Sequence, residues 1–178
     1  MSQKEPRPTD RESLGIHETA RRDKLRKIAE MGIDPWGGRF DGRSHIGDIR
    51  ARANEIKLQK ESSQTVDLPK LDGPEPVDFR AWLQQHGPGE LTGPHVRAAG
   101  RVVLQRDAGK LRFVDIQDWT GKIQLFIGKQ QVGDEGFALA GNFDLGDLVG
   151  VDGQLRRTKT GELTIFAEKL HFLCKALD

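Results

Sequence analysis

The sequence predicts a mainly β fold with α-helices added. Its centre is a five-stranded Greek-key barrel, with a short helix between the third and fourth strands and helical segments before the first. Three observations lead there. Residues 96–178 hold five strand-length runs, separated by turn sequences such as Asp107-Ala108-Gly109, Asp118-Trp119-Thr120-Gly121 and Thr158-Lys159-Thr160-Gly161. Between the third and fourth runs the apolar spacing switches from alternation to a helical period. Ahead of the barrel, apolar residues recur at helical spacing within charged surroundings.

The tail, 1–16, is polar and rich in charge and proline, and is expected to be disordered. The segment 17–58 is read as helical. Its first helix runs His17–Met31, with Ala20, Leu25, Ile28 and Ala29 on one side and Gly32 as its stop. The opposite side carries Arg21, Arg22, Lys24, Arg26 and Lys27 against Glu18, Asp23 and Glu30. Such a run is either a solvated helix face or a surface for phosphates. A second helix is expected over His45–Leu58, with Ser44 as N-cap and Ile46, Ile49, Ala53 and Ile56 as its apolar stripe. The segment 59–95, punctuated by Pro69, Pro74, Pro76, Pro88 and Pro94, reads as a long mobile insertion, with at most a short helical turn around Phe79, Trp82 and Leu83.

Within the barrel, strand one covers about Val96–Gln105, with Val96, Ala98, Val102 and Leu104 inward. Strand two is Lys110–Gln117 and strand three Lys122–Gly128. A helix opens at Asp134-Glu135, with Phe137 and Leu139 or Ala140 on its apolar side. Strand four is Leu148–Arg156, with Val149, Val151 and Leu155 inward, and strand five is Glu162–Leu173. Three strands, a helix and two strands is the order of the OB-fold, a partly open barrel that binds oligonucleotides.

Composition narrows the function classes. The chain has 178 residues, 35% of them hydrophobic, and a mean hydropathy of −0.60, which suits a compact part joined to a solvated part. The net charge of +1 points to no partner by itself. One cysteine, Cys174, excludes an intrachain disulfide or a cysteine-clustered zinc site, and its apolar neighbours suggest a small buried residue. No stretch approaches the ~20 apolar residues of a membrane helix, so the cytoplasm is the expected compartment. His17, His45, His86, His95 and His171 are scattered, no phosphate-binding glycine loop is present, and no metal or catalytic site is expected.

Binding chemistry is better supplied. Alternation places Val114 and Ile116 on one face of strand two and Phe113 on the other. On strand three, Ile123, Leu125 and Ile127 oppose Lys122, Gln124 and Phe126. A phenyl ring beside amide and ammonium groups is what stacking and reading a base require. Each stacked base is worth about 1–3 kcal/mol. Gln124 offers a donor and an acceptor, Glu162 only accepts, and the Arg106 fork suits a phosphate or a base oxygen. Each residue also has an ordinary explanation: Phe126 packed beneath the insertion, Gln124 as plain surface, Glu162 paired with Lys159.

The ordered strings Val96–Val102, Gly109-Lys110-Leu111-Arg112-Phe113, Gly121-Lys122-Ile123-Gln124-Leu125, Gly146–Val151, Thr158-Lys159-Thr160-Gly161-Glu162-Leu163 and Leu173–Leu177 resemble the N-terminal anticodon-binding domain of class II lysyl-tRNA synthetases. Lys24-Leu25, Gly32-Ile33-Asp34-Pro35-Trp36, Phe40 and His45-Ile46-Gly47-Asp48-Ile49 extend the resemblance. It implies that Phe113 stacks on the central anticodon base while Gln124, Glu162 and Arg106 read it, with Phe126 on the same face. The implied partner is the tRNA(Lys) anticodon stem-loop, UUU or CUU. In the family the basic helix lies near the stem, which would put Arg21, Arg22, Lys24, Arg26 and Lys27 on phosphates. The resemblance implies a homodimer for the intact enzyme. No Phe-Arg-x-Glu string or ATP-binding motif is found, so the catalytic domain is expected to be absent, ATP and Mg with it, and no cofactor is expected here. Two rivals stay open: a generic single-strand-binding OB-fold protein, and a dimerisation or partner-docking module.

Overall fold

The computed structural model describes residues 10–177. In chain order the elements are α1 (Asp10–Glu30), α2 (Ile46–Arg50), a 3-10 turn (Ala53–Glu55), β1 (Lys57–Lys60), β2 (Thr65–Asp67), α3 (Phe79–His86) and β3 (Gly89–Thr92). The chain continues through β4 (His95–Ala108), β5 (Leu111–Asp118), β6 (Gly121–Gly128), α4 (Lys129–Ala140), β7 (Leu148–Arg157) and β8 (Leu163–Cys174). Strands β4 to β8 close into a barrel in the order β4-β5-β6-β8-β7. Every seam is antiparallel except β6–β8, which is parallel. The mainly β, five-stranded OB-fold expected from the sequence is the fold found.

Alternation builds the core. Val114 and Ile116, Ile123, Leu125 and Ile127, Val149, Val151 and Leu155, and Leu163 and Ile165 all point inward and are buried. Burying one such side chain stabilises by about 1.5–3 kcal/mol. The helix between the third and fourth barrel strands begins at Lys129, five residues before the acidic pair expected to open it. Gly133, with φ 77° and ψ 175°, interrupts it, a conformation that a side chain at this position would resist. Beyond that break Leu139 and Ala140 are buried against the barrel.

Strand β4 serves two neighbours. His95–Arg101 pair with β7, and Arg101–Ala108 pair with β5. Where it changes partner, the register shifts between Val102 and Leu104, and both Val103 and Leu104 come to the surface. Leu104, expected inward, is 57% exposed because this bulge adds a residue and reverses the facing beyond it.

Ahead of the barrel the structure departs further from the sequence reading. Residues 1–9 of the expected disordered tail lie outside the described residues, but the chain is helical from Asp10. Of the stripe assigned to this helix, Ile28 is fully buried and Leu25 half-buried, while Ala20 and Ala29 are exposed. The expected helix His45–Leu58 is instead one short helix, one 3-10 turn and the start of a strand. The N-cap residue of α2 is His45, not Ser44, and its own side chain makes no capping bond. Asp118 does that work from the β5–β6 turn, its carboxylate accepting from Ile46 N–H at 2.9 Å, while Thr120 Oγ1 accepts from Gly47 N–H at 2.8 Å.

The segment 59–95 is not a loose insertion. Strands β2-β1-β3 form a three-stranded antiparallel sheet, and α3 is capped by Asp78, which accepts from Ala81 N–H at 3.0 Å. Leu58 and Phe79 are buried, and the Phe79 side chain lies beside the Gly161 turn. Arg157, buried at the end of β7, bonds both Asp72 and the Gly161 carbonyl, so the insertion and the β7–β8 turn hold each other. Proline content concealed this order, because the pairing of β1 with β3 spans some thirty residues.

A buried ion cluster ties α1 to the barrel. Lys175 and Asp147 have fully buried side chains 2.7 Å apart. Asp144 accepts from Lys175 Nζ and from Lys24 Nζ, each at 2.6 Å. Burial would push the Asp144 carboxyl up, but the bonds from Lys175 and Lys24 outweigh it and hold the group below the usual carboxylate range. Asp147 also accepts from Asp144 N–H and Ala176 N–H.

Removing one member of a buried ion pair leaves the other uncompensated and costs about 3–5 kcal/mol. Lys175→Met is therefore expected to lower stability by about that amount in urea unfolding. Lys24→Met, at the rim, should cost less than about 1 kcal/mol; equal losses would show that Lys175 is not the centre of the cluster.

The Asp118 carboxyl is likewise held low, since the N–H groups of Ile46, Thr120 and Gly121 and the Thr120 hydroxyl outweigh desolvation. A depressed folded pKa stabilises fully above the unfolded value of about 3.9, and that contribution is lost as pH falls through the folded value. The urea midpoint should fall below about pH 4, with a shallower fall in Asp118→Asn. Parallel curves for the two proteins would exclude Asp118 as a source of the acid sensitivity.

Candidate nucleic-acid interface

The outer face of β5, β6 and β8 is organised in rows that run across the strands. Arg106 pairs in register with Phe113, Phe113 with Phe126, Phe126 with Phe166, and Phe166 with Gln154. The next row is Leu104, Asp115, Gln124, Thr164 and Arg156, again register partners throughout, with Thr164 fully buried beneath its neighbours. Neighbours within a row stand about 4.5–5.5 Å apart at Cβ, so the side chains of each row lie in reach of one another.

The first row is aromatic with a cation at one end. Phe113 and Phe126 meet edge to face, ring centroids 5.5 Å apart, and Phe126 stacks on Phe166 at 4.7 Å. All three rings are half-buried. The Arg106 guanidinium lies over the Phe113 ring, 4.7 Å from its centroid, and Arg156 reaches over Phe166 at 5.4 Å. Cation–π contacts at exposed sites are worth about 0.5–1 kcal/mol. That is weak enough for a stacking base, worth about 1–3 kcal/mol, to share or take over the ring face.

The second row carries the hydrogen-bonding groups. Gln124 Nε2 donates to Thr164 Oγ1 at 3.3 Å, which leaves the amide oxygen free to accept. Thr164 Oγ1 in turn donates to the Glu162 carbonyl. Glu162 itself is exposed beside the β7–β8 turn, and its N–H bonds Thr158 Oγ1 at 3.2 Å. Its carboxylate makes no ion pair with Lys159 among the described residues.

Sequence reasoning placed Phe113, Gln124, Phe126 and Arg106 on one face, and the structure brings them together with Glu162 at the margin. Phe126 lies between Phe113 and Phe166. Phe166, Arg156 and Asp115 were missed. A signal for Phe166 was present: it alternates with Leu163, Ile165 and Ala167 and shares the parity of Glu162. What the sequence does not display is that β8 runs beside β6.

The basic residues of α1 divide by role. Arg21 donates to the Ala176 carbonyl and Lys24 to Asp144, so both hold the helix to the barrel. Arg22 pairs with Glu18 and Arg26 with Asp23, both on exposed ground, and Lys27 is exposed. Among the described residues no group of three or more His, Cys, Asp or Glu side chains is placed to hold a metal, and no helix is long and apolar enough to cross a membrane. Cys174, expected to be buried, is half-buried.

Comparison with known proteins agrees with this geometry. The tRNA anticodon family described as an OB-fold nucleic acid binding domain matches residues 96–173, which is the barrel. The lysine–tRNA ligases of Staphylococcus aureus strains N315 and COL are each 32% identical to the chain over 166 residues. The match takes in 93% of this chain and 28% of each ligase, so the chain spans little more than a quarter of the length of those relatives. The barrel therefore matches the OB-fold nucleic acid binding domain model of the tRNA anticodon family, in a chain similar to one part of lysine–tRNA ligases.

Proposed function

We propose that this chain reads the lysine anticodon, with its central uracil, for an aminoacylation carried out by a separate catalytic domain. The observation that carries the reading is the row Arg106–Phe113–Phe126–Phe166, an aromatic strip beside the polar row that contains Gln124. Phe113 stacks on the central base. Gln124 and Glu162 bond its edge, and the Arg106 fork takes a phosphate or base oxygen once it leaves the Phe113 face. Arg22, Arg26 and Lys27 on the exposed side of α1 contact stem phosphates, while Arg21 and Lys24 chiefly keep that helix in position. Under this reading ATP and Mg act only in the catalytic domain, the working assembly is a homodimer of the intact enzyme, and the setting is the cytoplasm.

Phe113→Ala should weaken binding of a lysine anticodon stem-loop by about 1–3 kcal/mol with the barrel still folded, as judged by fluorescence anisotropy and thermal unfolding. A general single-strand binder would hold unrelated oligonucleotides as tightly as the stem-loop, and that result would replace the anticodon reading with the generic one. Gln124→Ala and Glu162→Ala should reduce discrimination between uracil and cytosine at the middle position more than overall affinity. Equal losses on both stem-loops would place those groups outside the reading site.

Neutralising Arg22 and Arg26, one helical turn apart, should weaken cognate and non-cognate stem-loops alike. It should also flatten the dependence of log affinity on log salt, by something under ~1 unit of slope for each phosphate that is no longer neutralised. An unchanged salt slope would remove α1 from the RNA interface.

A further inference from the structure

Asp115 stands in the middle of the polar row with its hydrogen-bonding capacity unused. Its register partners are Leu104 on β4 and Gln124 on β6. Its side chain is only 16% exposed, and the nearest cation, Lys122 Nζ, is 3.9 Å from Oδ2. Among the described residues no group donates a hydrogen bond to the carboxylate. Burial pushes its carboxyl above the usual range, and the positive charges of Lys122 and Arg106 only partly oppose this. Asp118, Asp144 and Asp152 behave differently: each accepts bonds from neighbouring donors and is held low. A partly desolvated carboxylate with no protein donor is less stable than one that is bonded, and it gains by accepting an N–H from a ligand. Here it sits two residues along β5 from Phe113, on the same face, where a base stacked on that ring would project its edge.

We propose that Asp115 is a specificity-determining residue of this face. Its carboxylate accepts an N–H from a nucleobase held against Phe113, and so selects bases that present a donor at that edge. The inference rests on the anticodon reading above and adds a reader that the resemblance does not assign. Gln124 supports it, because only one N–H of its amide is given to Thr164, which leaves the second N–H and the oxygen for the base beside Asp115. Together the Asp115 carboxylate, accepting N3–H, and the Gln124 amide, donating to a flanking carbonyl, match the acceptor–donor–acceptor edge of a uracil. Leu104, turned outward by the β4 bulge, flanks Asp115 on the other side. It limits water at the carboxylate and so strengthens the bond to a base.

The test titrates the protein and its Asp115→Ala, Asp115→Asn and Phe113→Ala variants with a UUU anticodon stem-loop. The same proteins then meet three loops in which one anticodon uracil carries a methyl group on N3, which removes the donor while keeping the stacking surface. The unaltered protein should bind one of these loops about tenfold or more weakly, the loss expected for a hydrogen bond to a charged acceptor. Asp115→Ala should bind the unmodified loop about tenfold more weakly and no longer distinguish that methylated loop. Asp115→Asn, close in shape and still an acceptor, should fall between. Thermal unfolding of the Asn variant shows whether the barrel is intact. Tighter binding of every loop by both variants would mean that the carboxylate merely repels phosphates, and would overturn the inference. Unchanged binding at Asp115, with Phe113→Ala still weakened, would overturn it alone. No effect at either position would overturn the anticodon reading and the inference with it.

Discussion

The parallel pairing of β6 with β8 is the constraint on which the rest of this molecule depends. Its register sets Gln124 beside Thr164, Leu125 beside Ile165 and Phe126 beside Phe166. A shift of one residue would turn Ile165 outward and Phe166 into the core, because side chains alternate along a strand. The same seam closes the barrel, leaving no open edge among β4–β8. One set of backbone hydrogen bonds thus fixes the apolar interior and the order of groups on the outer face. The aromatic strip is a product of closure, since neither the β5–β6 hairpin nor β8 presents it alone.

Elements outside the barrel hold its working face in place without forming it. The buried Lys175–Asp147 pair, extended through Asp144 to Lys24, sets where α1 lies and leaves its Arg22, Arg26 and Lys27 side to solvent. Asp118 anchors α2 to the β5–β6 turn, next to the strands that carry Phe113 and Gln124. Arg157, bonded to Asp72 of the insertion as well as to the Gly161 carbonyl, joins the insertion to the β7–β8 turn that precedes Glu162. Arg156, over Phe166, is tied to Glu90 of β3 at 3.2 Å, so the small sheet reaches the far end of the polar row. Each brace joins residues distant in sequence, and each uses a charge or ring that a composition count would assign to the surface.

What could be read in the sequence was what local alternation determines. Val114 and Ile116 against Phe113, and Leu125 against Gln124 and Phe126, gave the strands and their facing, and strand order then gave the barrel. What could not be read was non-local. Leu104 was misassigned because a bulge reverses alternation without any glycine or proline to announce it. The small sheet was hidden because β1 finds its partner β3 across a proline-rich stretch. Phe166 was overlooked because nothing local shows which strand it stands beside. For the basic helix, sequence supplied five cations but not their partners. Arg21 and Lys24 proved to face the barrel, and only their three-dimensional surroundings could separate them from the others.

The central claim, that the aromatic row and the polar row beside it receive an anticodon loop, is tested most directly by nuclear magnetic resonance. The aromatic resonances of Phe113, Phe126 and Phe166 would be followed as a lysine anticodon stem-loop is added, together with the indole N–H signals of Trp36 and Trp119. Those two exposed tryptophans line a separate groove near Gly100 and Leu173. The account predicts that the three phenylalanine rings shift together and saturate at one equivalent of RNA, with the indole signals unmoved. Shifts confined to Trp36 and Trp119, with the phenylalanine rings unchanged, would contradict it.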